Sequence, residues 1–183
     1  MIKNIFVLLV CFFSMTNLPA QQYEPVDPGS SVKFVIKNFG LNVDGSFRGL
    51  QGKITFNTEN LTTSGFNVSV DAATVNTGNG SRDGHLKKDE YFDVTKHPKI
   101  TFVSTKITAG SKPGQYIVEG VITIKGISKP VSFPFMVSPA ANGNLFMGQF
   151  KINRRDFKVG GKSWVLSDDV TVSLNISTIK QKP

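Results

Sequence analysis

The chain has 183 residues with 39% apolar and 10% aromatic side chains, which suits one domain with a sizeable core. Its 21 Lys and Arg outnumber 13 Asp and Glu for a net charge of +8, yet the cations are scattered in ones and twos, so no nucleic-acid partner is expected, whereas anionic lipid headgroups fit. A single cysteine, Cys11, excludes an internal disulfide and a thiolate cluster.

At the N-terminus, Lys3 is the one charge ahead of the apolar run Ile5–Phe13, and polar residues then lead to Leu18-Pro19-Ala20. A charged start, a short apolar stretch and a small residue before a polar one describe a secretory signal peptide. The run is far below the ~20 residues that cross a membrane. Residues 1–20 are therefore expected to be a leader cleaved near Ala20, and 21–183 one domain, periplasmic or secreted, with no transmembrane segment. Cys11 lies within the apolar run rather than just after it, so no lipoprotein anchor is expected and the remaining chain is free of thiols.

Beyond the leader, period-2 alternation dominates. Val32, Phe34 and Ile36 alternate with Ser31, Lys33 and Lys37; Ile54 and Phe56 with Lys53 and Thr55; Phe66, Val68 and Val70 with Asn67 and Ser69. Tyr116, Val118, Ile122 and Ile124 share one parity, as do Val131, Phe133, Phe135 and Val137, then Phe146, Phe150 and Ile152, and finally Val170, Val172, Leu174 and Ile176. Such segments, about seven or eight in number and parted by Gly, Asn and Pro clusters, predict an all-β antiparallel sandwich or barrel. Connections are expected at 57–63, 109–114, 125–130 and 140–144. Asn79–Val94 lacks alternation and reads as a short helix capped by Asn79 or Ser81, ended by Pro98. A second helical turn is expected over 39–43.

Three of the 15 phenylalanines, Phe6, Phe12 and Phe13, lie in the leader, and most of the others fall on the apolar parity of a strand. Rings from many strands can fill a solid core or surround a ligand, and an eight-stranded barrel sits at the size where both outcomes occur. Gly120 and Gly148 on inward parity either leave room for a ligand or let a strand bend.

Signals for catalysis are weak. His85 and His97 have no metal-ligand spacing, and no metal site is expected. Asp83, Asp89, Glu90 and Asp93 could serve acid–base chemistry or simply face solvent on the insertion. Arg154-Arg155-Asp156 reads as an ion-pair turn or a contact for an anionic headgroup. No nucleophile-elbow, Walker or dinucleotide motif is present, so no catalytic residue is named and the chain is not expected to be an enzyme. Asn60-Leu61-Thr62 matches a glycosylation acceptor.

The ordered set Val32–Lys37, Val43–Phe47, Arg82–Leu86, Tyr91–Asp93, His97–Phe102, Gly120–Gly126, Asn153–Phe157 and Leu166–Val170 resembles the YceI family, over roughly Tyr23 to Lys180. In place of the glycine-phenylalanine pair usual after the arginine-aspartate motif stands Phe157-Lys158. The resemblance implies an eight-stranded antiparallel lipocalin-like barrel with a short helical insertion. It also implies an elongated apolar pocket for a polyisoprenoid, an isoprenoid quinone or a fatty-acid derivative, with no other cofactor, and a possible homodimer. The residues then expected to line the pocket are Phe34, Ile36, Phe66, Val68, Phe102, Tyr116, Val118, Phe133, Phe135, Phe150 and Trp164. Each could instead be a packed core position. The alternative function is a solid-core β-sandwich for carbohydrate or protein contacts.

Overall fold

A computed structural model describes residues 21–181, so the expected leader over 1–20 lies outside the described residues. Nine antiparallel segments form one sheet: β1 (Gln21–Pro25), β2 (Ser31–Asn38), β3 (Leu41–Phe56), β4 (Gly65–Asn76), β5 (Lys99–Ala109), β6 (Gln115–Ile124), β7 (Ile127–Ala140), β8 (Gly143–Asn153) and β9 (Leu166–Lys180). Both β1 and β2 lie between β3 and β9, β1 opposite Ile54–Phe56 and β2 opposite Leu41–Phe47. They act as one stave broken at residues 26–30. The break is held by Asp27, whose carboxylate accepts from the Gly49 and Leu50 N–H groups, both at 2.9 Å. Pairing of β3 with β4 closes the sheet into an eight-stranded barrel. The sandwich alternative is thereby set aside.

Closure brings β3 close against β4 at Gly52, where φ is 124° and an added Cβ would fall on the Asn67 carbonyl oxygen. Gly52→Ala is expected to cost roughly 2–4 kcal/mol, read as a lower urea midpoint at unchanged slope.

The helix forms where alternation fails. Helix α1 (Gly80–Leu86) is capped by Asn79, whose side chain accepts from the Arg82 N–H at 3.0 Å. Two expected features are corrected. Phe39–Val43 is not a helical turn: Phe39 and Gly40, with φ of 51° and 78°, form a two-residue hairpin between paired Asn38 and Leu41. Positive φ at both central residues matches the twist of the flanking strands. Likewise only Lys125 and Gly126 (φ 51° and 71°) leave the ladder, and Ile127–Pro130 already belong to β7. Pro130 and Pro134 are tolerated there because that half of β7 pairs with β6 alone.

One end of the barrel is solid. Phe56 meets Tyr116, Phe135 and Phe146 edge-on at 5.0–6.1 Å, and Phe66 meets Phe135 and Phe146 at 5.3 and 5.7 Å. Each such pair contributes ~1 kcal/mol beyond its buried area. A second cluster, Ile122, Ile124, Phe157 and Val159, packs beneath Tyr91 and Phe92 of the insertion at the other end.

Candidate functional site

Above the aromatic plug the interior is open. The inward parity of the strands surrounds a cavity of about 1020 Å³, at the upper edge of the ~300–1,000 Å³ usual for small-molecule sites. Its wall is mostly aliphatic and aromatic. Of the residues expected to line it, Phe34, Ile36, Phe66, Val68, Phe102, Phe133, Phe135 and Phe150 do so. Phe133 and Phe150 stack at 4.4 Å with 17° between planes, and Phe102 tilts against Phe133 at 5.7 Å.

Tyr116, Val118 and Trp164 are corrections. Tyr116 and Val118 have the inward parity, but stagger places them in the plug, where Tyr116 packs on Phe56 and Val118 is fully buried. Trp164 lies in the loop before β9 with its ring in solvent. Residues Val170, Val172, Leu174 and Ile176 of β9 also line the cavity; they are not among the residues expected there, although their alternation carries the same signal as that of β2 or β7. Of the two inward glycines, Gly120 gives its space to the Phe102 ring, 2.7 Å from where a Cβ would stand. Gly148 does face the cavity, beside Phe133.

The open end is polar on one side. Thr77, Asn79, Ser81, Arg82 and His85, from the end of β4 and from α1, line the mouth. Arg82 is braced by its Nε donating to Thr77 Oγ1 at 2.7 Å and its Nη2 to the Thr77 carbonyl at 2.9 Å. Two of the insertion carboxylates have structural partners: Asp83 accepts from the Thr77 N–H and Oγ1 at 2.8 and 2.6 Å, and Asp93 pairs with Lys96 at 3.4 Å, while Glu90 lines the cavity. His97 packs over the Lys125-Gly126 turn. Asn60 accepts from the Thr62 N–H and hydroxyl, capping a short turn. Among the described residues no three His, Cys, Asp or Glu side chains are grouped to hold a metal.

Arg154 also touches the cavity, but it has no donor to spare. Nε donates to the Ser167 carbonyl, Nη1 to Val159 and Gly161, and Nη2 to Leu166 and to Asp168 Oδ1 at 2.8 Å. The fork thus holds the 158–168 loop in shape rather than waiting for a headgroup. The Phe157-Lys158 departure is absorbed here, with Lys158 left-handed (φ 53°) at the end of a short 3-10 turn.

Residues 23–178 match the YceI-like domain. The chain belongs to the YceI family. Relatives of the family include a UPF0312 protein of Pectobacterium carotovorum, 30% identical over 82% of this chain and 81% of its own. Protein YceI of Salmonella arizonae is 27% identical over 98% of this chain and 99% of its own. Among solved structures, Burkholderia cenocepacia BcnA superposes with a TM-score of 0.75 at 25% identity, over 80% of this chain and 94% of that one. A polyisoprenoid-binding domain from Saccharophagus degradans superposes at 0.67 with 18% identity, over 87% and 98%, a likeness of fold alone. The fold expected of a YceI protein is therefore the fold observed.

Proposed function

We propose that this YceI protein is an exported carrier or scavenger that holds a long apolar lipid inside its barrel: a polyisoprenoid, an isoprenoid quinone or a fatty-acid derivative. The observation that carries this reading is the apolar cavity of about 1020 Å³, stopped by an aromatic plug at one end and reaching a polar mouth at the other. The lining is mostly aliphatic and aromatic, so the cavity offers a ligand chiefly apolar surface. A tail burying ~400 Å² gains on the order of 10 kcal/mol gross, of which association takes back a large share, leaving micromolar to nanomolar affinity. A polar headgroup would stay beside Arg82 and His85. Nothing in this reading requires turnover. The likeness of fold to a polyisoprenoid-binding domain from Saccharophagus degradans supports the ligand class. The leader-like pattern of residues 1–20 supports export to the periplasm or beyond. Among the described residues no helix is long and apolar enough to cross a membrane.

Native mass spectrometry of protein purified from its own host, followed by organic extraction, tests the proposal. A copurified apolar molecule released on denaturation is the expected result. Repeated recovery of empty protein that also refuses isoprenoid and fatty-acid tails in vitro would sink it.

A further inference from the structure

The rim of the mouth presents large apolar side chains to water. Trp164 is 94% exposed, Phe39 74% and Leu41 73%. Two segments bring them together. Asn38 pairs with both Leu41 and Leu166, and the Phe39 N–H donates to the Val165 carbonyl at 2.8 Å. The hairpin tip and the loop before β9 are thereby joined into one edge. Phe39 and Val165 also line the cavity, so the apolar surface runs unbroken from the rim inward. An exposed apolar patch of this kind marks a contact site.

The two segments that form the rim carry only positive charge, with Glu90 of the cavity lining held against Gly160 of the second one. Residues 37–42 and 158–165 contain Lys37, Lys158 and Lys162 and no Asp or Glu. Lys162 Nζ stands 5.4 Å from the centre of the Trp164 ring. Indole and phenyl rings settle at headgroup depth in a bilayer, and lysine stems lie along apolar surface with the ammonium at the phosphates. Each lysine near an anionic leaflet adds attraction that salt weakens. A second copy seated mouth to mouth would bury the same rings but set like charges against each other and shut the entrance.

We propose that the Phe39, Leu41 and Trp164 rim docks on an anionic lipid bilayer with the mouth facing the membrane, so that a tail passes between bilayer and cavity without crossing water. Its purpose rests on the carrier reading, but its test does not. Trp164 is the sole tryptophan, so its emission reports the rim alone. With vesicles of phosphatidylcholine and phosphatidylglycerol the emission should move to the blue and be quenched by brominated acyl chains; with phosphatidylcholine alone, or at high salt, the effect should shrink. Leu41→Ser with Trp164→Ser, neither of which lines the cavity, should weaken co-sedimentation with the mixed vesicles about tenfold or more. Lys37→Glu with Lys162→Glu should do the same and keep the tryptophan signal readable. Any copurified lipid should remain in the variant of Leu41 and Trp164. Unchanged Trp164 emission with both vesicle types, or undiminished co-sedimentation of the variants, overturns the docking. So does a dimer that Trp164→Ser splits while vesicles leave the protein unbound. Docking by a protein that never holds a lipid would instead sink the carrier reading and leave the docking intact.

Discussion

Phe102→Asp is expected to strip the protein of its lipid, while Val103→Asp, one residue along β5, leaves both lipid and stability nearly unchanged. Phe102 points inward, lies against Phe133 and lines the cavity; Val103 is 44% exposed on the outer face. A carboxylate at 102 meets the Phe133 ring in place of water and leaves the space of a ring behind. Loss of the ring and burial of the acid together cost roughly 3–5 kcal/mol. For a domain of this size that lowers Tm by roughly 10 °C. The outer-face substitution stays within about 0.5 kcal/mol. Native mass spectra and melting curves of the pair decide the matter. Equal lipid occupancy in the two variants would show that the ligand does not lie along this wall.

Arg154→Met is expected to lower stability by roughly 3–5 kcal/mol, although the substitution keeps much of the side chain's volume. The wild-type guanidinium is 4% exposed and gives all five of its N–H groups to the chain: four carbonyls and the Asp168 carboxylate. Methionine leaves those acceptors facing one another across a buried space, each orphaned acceptor costing ~1 kcal/mol or more. Arg154→Lys should recover little of the loss, because a single ammonium cannot reproduce a planar fork. Asp168→Asn should cost less, about 1 kcal/mol, since that side chain is 45% exposed. Urea midpoints at constant slope give all three values. An Arg154→Lys protein as stable as the wild type would refute the clamp. Because the clamp shapes the loop that carries Trp164, the methionine variant should also bind mixed vesicles less well.

Alternation is a local property, and what depends on it could be read without coordinates. It gave the strands and the inward face, and it placed eight of the expected residues, from Phe34 to Phe150, on the cavity wall. Loss of alternation marked the insertion that became α1. Depth along the barrel is not local. Tyr116 and Val118 share their parity with Ile122 and Ile124, and only the stagger of β6 against its neighbours puts the first two in the plug and the last two on the cavity wall. A loop has no parity at all, so Trp164 could be assigned to the interior while its ring stands in water. Whether the rings meet at the centre depends on the β2–β9 seam, which joins residues far apart in the chain, Val32 opposite Leu174 and Phe34 opposite Val172. The residue types and their spacing by themselves determined an all-β chain with one greasy face. Closure and stagger, set by hydrogen-bond register between distant strands, decided that this face encloses a cavity, which end is plugged and which residues guard the mouth.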